Sequence, residues 1–172
     1  MKEREILLNR DAIARRVEEL GEEITGDYQD KELLVITLMK GGFVFAADLI
    51  RQIDLPLVVE FMTTSSYQSS EVSTGVVNIL QDVSRDLSQF DVLIVDDIID
   101  TGYTMKTVYN VLKDRKPRSL RTCTFLDKPS RRKVDFESDY VGFTVDDVFI
   151  VGYGLNYGDY YRNVDHIFIF KE

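Results

Sequence analysis

Between Val92 and Thr104 the chain carries one continuous unit: Val-Leu-Ile-Val-Asp-Asp-Ile-Ile-Asp-Thr-Gly-Tyr-Thr. An apolar run, Val92–Val95, leads into two adjacent acids, Asp96 and Asp97. A short loop with Thr101, Gly102 and Thr104 then opens a helix. Each part has a chemical use. Backbone N–H groups at a helix start point outward and attract a phosphate. Gly102 lets the backbone come close to that phosphate, and the Thr101 and Thr104 hydroxyls can donate to its oxygens. Asp96 and Asp97 repel phosphate, but they accept hydrogen bonds from sugar hydroxyls or hold a magnesium ion through water. A lone Asp-Thr-Gly is more often only a cap and a turn. The complete strand, double acid, loop and helix together point to a sugar-phosphate site.

The elements around this unit must place it at one end of a sheet. Ile13, Val17, Leu20 and Ile24 lie on one face of a helix predicted over Asp11–Ile24. Leu33–Leu38 is a near-continuous apolar run, which suits a strand buried on both faces. Gly41 and Gly42 break it, and a second helix is predicted over Phe43–Ile53. Further strands are predicted at Leu57–Thr63, Val76–Leu80, Val92–Val95 and Leu120–Leu126, with a helix at Thr104–Asp114 and weaker strand signals at Val148–Val151 and Ile167–Phe170. The polar, aperiodic stretch Thr64–Gly75 is predicted to be a mobile loop. Alternating strands and helices imply an α/β domain with a mainly parallel sheet. Ligands in such sheets bind beyond the carboxyl ends of the strands. The loops after Leu38, Val95 and Leu126 are therefore the informative ones.

The Val92–Thr104 unit resembles the phosphoribosyl-pyrophosphate signature of type I phosphoribosyltransferases. It is most similar to the hypoxanthine-guanine branch, in which two acids precede Ile-Ile-Asp-Thr-Gly. The resemblance covers nearly the whole chain, with the motifs in the family's order. It implies the type I phosphoribosyltransferase fold, a mainly parallel central sheet flanked by helices with a small hood subdomain. Residues 1–172 would form one domain, with a core over about 10–130, a hood from the N-terminal residues and about 131–172, and a flexible lid over about 64–76.

The family's site residues carry over position by position. Asp96 and Asp97 would meet the ribose hydroxyls and hold Mg²⁺ through water. Asp100, Thr101, Gly102, Tyr103 (through its backbone amide) and Thr104 would bind the 5′-phosphate. Asp100 would also act as general base at N7 of the purine. Lys40 and Gly41, in Met39-Lys40-Gly41-Gly42, resemble the pyrophosphate loop, which often has a cis peptide before the Lys. Arg162 matches an arginine on pyrophosphate, with Arg132 as an assistant. Ser66 and Tyr67 match the lid. Lys128 matches the donor to the purine O6, Phe149 the aromatic that stacks on the base, and Ile150 the residue whose backbone meets the base edge. Read without the family, Lys128, Phe149 and Ile150 would be a surface lysine and two core residues. Asn156 stands where the family has a metal-binding Asp, and its neutral oxygen attracts Mg²⁺ more weakly.

The resemblance implies purine salvage. The phosphoribosyl group of phosphoribosyl pyrophosphate would pass to hypoxanthine and guanine, giving IMP or GMP and pyrophosphate, in a homodimer or homotetramer. Xanthine- or guanine-preferring enzymes remain open. Adenine is disfavoured, because it carries an amine where Lys128 would donate. The same fold also serves an RNA-binding regulator, but a formal net charge of −9 opposes a surface built to grip nucleic acid. No Gly-x-Gly-x-x-Gly follows a predicted strand, which disfavours a dinucleotide-binding redox module. No apolar stretch is long enough for a membrane span. The charged Met1–Glu5 is unlike a signal peptide, and the single cysteine, Cys123, can form no intrachain disulfide. Both suit a reducing cytoplasm. His166, the only histidine, is expected to be structural.

Overall fold

The computed structural model describes residues 2–66 and 75–171. The elements are Arg4–Leu8 (β1), Arg10–Asp27 (α1), Leu33–Met39 (β2), Phe43–Ile50 (α2), Leu57–Ser66 (β3), Val77–Gln81 (β4), Asp91–Ile99 (β5), Tyr103–Lys113 (α3), Ser119–Asp127 (β6), Tyr140–Thr144 (β7) and Ile167–Phe170 (β8). A 3₁₀ turn, Pro129–Arg131, follows β6.

The apolar runs lie at the centre of a six-stranded sheet of order β4-β3-β2-β5-β6-β7. All neighbours pair in parallel except the antiparallel edge strand β4. Successive side chains of a strand point to opposite faces, and here both faces are covered. Leu33, Val35, Leu93 and Val95 pack with Ile13, Val17 and Leu20 of α1 and Phe45 and Leu49 of α2. Leu34, Ile36, Val92 and Ile94 pack with Met105, Val108 and Leu112 of α3. Each such side chain contributes roughly 1.5–3 kcal/mol by leaving water, so the central strands form a rigid floor. Their parallel direction brings the loops after β2, β5 and β6 to one end of the sheet, where the sequence placed the informative loops.

Helix α1 is longer than its apolar stripe implied. Asn9 caps it, its Oδ1 accepting from the Ala12 amide at 2.8 Å. The predicted loop over Thr64–Gly75 is corrected at its start, because Thr64, Ser65 and Ser66 continue β3 and pair with Ile79, Asn78 and Val77 of β4. Strand pairing there overrides the polar composition. Tyr67 and most of the expected lid lie outside the described residues. Val148–Val151 is not a strand; Val151 alone makes a bridge, with Phe168.

Two strands had no sequence signal. β1 carries Arg4 and Glu5 and pairs only with β8, in a separate two-stranded sheet. β7 contains Gly142, and a Cβ there would sit 2.3 Å from the Phe125 carbonyl oxygen, so the strand docks only without a side chain at that point. Arg16 of α1 donates to the β7 carbonyls of Gly142 (2.8 Å) and Val141 (2.7 Å). The range 131–172 given above to the hood therefore includes one strand of the main sheet. Among the described residues, no helix is long and apolar enough to cross a membrane.

Candidate active site

The end of the sheet holds a cavity of about 500 Å³, bounded by Met39 and Gly41 after β2, the Asp96–Met105 segment and Arg131. Sequence reasoning placed Asp96, Asp97, Asp100, Thr101, Gly102, Tyr103 and Thr104 in one site, and all seven line this cavity. Gly102 has φ +90° and caps α3 without a side chain, so the first-turn amides of α3 face outward for an anion. A Cβ on Gly102 would lie 2.9 Å from Arg132 Cδ and from Val134 Cγ2, so only glycine fits.

The two adjacent acids are held by the chain that follows them. Asp96 Oδ1 accepts from the Asp97 amide and Asp97 Oδ1 from the Ile98 amide, both at 2.8 Å. Burial pushes the Asp96 carboxyl well above the usual carboxylate range, and the neighbouring Asp97 charge adds to the rise. Burial raises Asp97 too, while a hydrogen bond with Asp96, the Ile98 amide and the Arg162 charge pull it down. A buried acid pair of this kind is relieved by a cation or by hydroxyl donors.

Gly41 and Gly42 lie against this pair. The Met39–Lys40 peptide is cis. A Cβ on Gly41 would fall 1.9 Å from Asp97 Oδ2 and 3.5 Å from Arg162 Nη1. Arg162 Nη1 donates to the Gly154 carbonyl at 2.7 Å. Residues from three distant parts of the chain, Gly41, Asp97 and Arg162, thus meet at one wall of the site.

The three residues expected to meet the purine, Lys128, Phe149 and Ile150, do not line this cavity. Lys128 is buried although the residue-by-residue reading made it a surface lysine. Its Nζ donates to the Val148 carbonyl at 2.5 Å and its amide to the Ile99 carbonyl at 2.9 Å. Phe149 is 63 % exposed, so it is not the core residue that its apolar neighbours suggest. Its ring meets the edge of Tyr157 at 5.9 Å and 79°. Ile150 is buried in the core, as the reading without the family had it.

Other expected residues fall elsewhere. Asn156 is exposed, and its amide donates to the Gly158 carbonyl at 2.6 Å. Arg132 does not accompany Arg162. Its guanidinium pairs with Asp127 beneath the Gly102 loop, and its Nε is buried without a hydrogen-bond partner. Ser66 ends β3. His166 pairs with Asp165 at 2.9 Å. One residue was missed. Arg131 bonds Asp100; the pair Arg131-Arg132, three residues after the proposed substrate-contacting Lys128, was the available signal. The Tyr103 ring, expected to act only through its backbone, packs so close to Gly75 that a Cβ there would be 3.1 Å away.

A phosphoribosyl transferase domain model matches residues 3–158. The chain is 46 % identical to the hypoxanthine-guanine phosphoribosyltransferase of Aquifex aeolicus, over 99 % of this chain and 97 % of that protein. It is equally similar, at 46 %, to the hypoxanthine phosphoribosyltransferase of Haemophilus influenzae, over 95 % of this chain and 93 % of that one. A solved hypoxanthine phosphoribosyltransferase from Staphylococcus aureus superposes with a TM-score of 0.93 at 44 % identity, covering 97 % of this chain and 91 % of the other. With the signature loop, the sheet order and these matches in agreement, the chain belongs to the phosphoribosyl transferase domain family and has its type I fold.

Proposed function

We propose that the protein is a purine-salvage transferase that moves the 5-phosphoribosyl group of phosphoribosyl pyrophosphate to N9 of hypoxanthine, and of guanine, releasing pyrophosphate with IMP or GMP. One observation carries this reading. Asp96, Asp97 and Gly41 line a cavity together with the first turn of α3, and Arg162 stands beside Gly41 and Asp97. That arrangement suits a ligand with a 5′-phosphate at one end, a diol in the middle and a pyrophosphate at C1.

In this reading the first-turn amides of α3, with Thr101 and Thr104, hold the 5′-phosphate. Asp96 and Asp97 accept from the ribose hydroxyls. Lys40 and Arg162 draw the pyrophosphate charge away from C1 as that bond breaks. Lys128 donates to O6, Phe149 covers the base, and the Ile150 backbone meets its edge. N9 forms the new bond on the face opposite the departing pyrophosphate, so the anomeric centre inverts. The proton on N7 passes to Asp100.

The residues fit a magnesium ion. Asp96 and Asp97 are adjacent carboxylates that both line the cavity, and no group of three acid, His or Cys ligands occurs among the described residues. An ion held there would take its other ligands from substrate and water, as Mg²⁺ prefers. Bound with the substrate, it supplies neutralisation of the pyrophosphate oxygens. Asn156, neutral and exposed, makes any second ion weakly held. A lid around Ser66–Tyr67, assembly as a homodimer or homotetramer, and a cytoplasmic setting complete the proposal.

The test is an absorbance assay with phosphoribosyl pyrophosphate, Mg²⁺ and hypoxanthine, guanine, xanthine or adenine offered singly. Turnover of hypoxanthine, lost in Lys128→Ala and greatly slowed in Asp100→Ala, is the expected result. Absence of turnover with every purine would overturn the proposal.

A further inference from the structure

Arg131 ends the 3₁₀ turn after β6 and reaches back to the loop after β5. Its Nε donates to Asp100 Oδ1 at 2.6 Å, and its Nη1 approaches Asp147 Oδ1 at 3.5 Å. Both members of the Arg131–Asp100 pair are 40–46 % exposed. An ion pair so open to water adds only about 0–1 kcal/mol to stability, so folding alone gives little reason for it.

Its geometry is nevertheless tightly set. The Arg131 amide bonds the Lys128 carbonyl at 3.1 Å, the Lys128 amide bonds Ile99 at 2.9 Å, and the Lys133 amide bonds Thr101 at 2.9 Å. The turn is thus pegged to the residues on either side of Asp100. A guanidinium is planar with donors in a fixed fork. Held at Asp147 by one arm and at Asp100 by Nε, it fixes the orientation of the Asp100 carboxylate. One oxygen, Oδ1, is occupied, which leaves Oδ2 to take a proton. Asp147 directly precedes Val148, whose carbonyl receives Lys128, so the same arm ties Asp100 to the segment proposed to frame the purine.

We infer that Arg131 is a positioning residue for proton transfer: it grips Asp100 Oδ1 so that Oδ2 faces the N7 proton of the bound purine. This rests on the reading of Asp100 as the general base. The proton leaves N7 for Oδ2 as N9 bonds C1, and Arg131 gives up no proton.

The test compares Arg131→Ala with the unaltered enzyme, each with Asp100 intact and as Asp100→Asn, measuring kcat, both KM values and Tm. With Asp100 intact, Arg131→Ala is expected to lower kcat roughly ten- to a hundredfold, a part of the roughly 10²–10⁴-fold that a general base supplies. The KM for phosphoribosyl pyrophosphate should stay within about twofold, and Tm within about 2 °C, as an exposed ion pair implies. With Asp100→Asn, Arg131→Ala should lower kcat no further, because residues acting as one unit are not additive. Added guanidinium ion should restore part of the kcat of Arg131→Ala. An equal fall in kcat in both backgrounds, or a raised KM for phosphoribosyl pyrophosphate with kcat unchanged, would overturn the inference alone. Undiminished kcat in Asp100→Asn itself would overturn the base reading and the inference with it.

Discussion

Gly154 lies against Gly41 in the Lys40 loop, so closely that a Cβ on Gly154 would stand 2.3 Å from the Gly41 carbonyl oxygen. Gly154 also has φ +99°, and its carbonyl accepts from Arg162. The segment around Gly154 therefore sets the height of the loop over Asp97 and fixes the arginine beside it.

Gly154→Ala should displace that loop and strain the backbone by about 1–3 kcal/mol. Misplacing a positioning loop by an ångström can cost up to a hundredfold, so kcat/KM for phosphoribosyl pyrophosphate should fall roughly ten- to a hundredfold. Steady-state kinetics with each substrate varied checks this. A KM for hypoxanthine that rises as much as that for phosphoribosyl pyrophosphate would show that the Gly154 segment serves the purine side instead.

The acid pair implies a stability that depends on pH in the ligand-free protein. Burial, then the Asp97 charge, hold Asp96 above its unfolded value. The folded state therefore binds the proton more tightly, and stability falls as pH rises from about 4, the unfolded carboxylate range, through the folded value. Asp96→Asn removes the buried charge and keeps an oxygen for the Asp97 amide. Its Tm in EDTA at neutral pH should exceed that of the unaltered chain, by roughly 2–4 °C for each kcal/mol relieved, with a flatter slope across the acidic range and a large loss of turnover. Calorimetry from acid to neutral pH decides; a lower Tm for Asp96→Asn at neutral pH would contradict the electrostatic account.

The Asp96–Thr104 unit could be read from sequence because its parts are contiguous: strand, acids and helix start lie within thirteen residues of Val92. The core strands were equally legible, since burial on both faces of β2 and β5 forces nearly unbroken apolar runs. What escaped was set by distant partners. β7 exists because β6 offers an edge and Gly142 fits against Phe125, which no local pattern announces. Thr64–Ser66 look like loop residues until β4 pairs with them. Arg131 meets Asp100 across 31 positions through a turn whose path the composition does not reveal. Asn156 was recognised as a departure, but its side-chain bond to Gly158 could not be foreseen from a single replaced acid.

Cys123 lies fully buried on β6, and burial pushes its thiol far above the ordinary range. The thiolate is the reactive form, so the folded protein should resist modification. A chromogenic disulfide reagent at neutral pH should label no thiol in native protein and one per chain in denaturant. Rapid labelling of the native protein would show that β6 opens far more readily than its packing between β5 and β7 implies.

Phe149, proposed above to cover the base, is exposed but not isolated. Tyr157 meets it at 5.9 Å, and Tyr157 in turn packs on Phe170 of β8 at 5.0 Å. This chain of rings fixes the orientation of Phe149 before any base arrives, which lowers the ordering cost of stacking. Such aromatic pairs contribute about 0.5–1.5 kcal/mol, so Tyr157→Ala should raise the KM for hypoxanthine about two- to twelvefold. Tyr157→Phe keeps the ring and should leave that KM unchanged, while kcat and the KM for phosphoribosyl pyrophosphate move little in either variant. If Tyr157→Phe is as harmful as Tyr157→Ala, the hydroxyl rather than the ring acts on the site, and the stacking role given to Tyr157 is wrong.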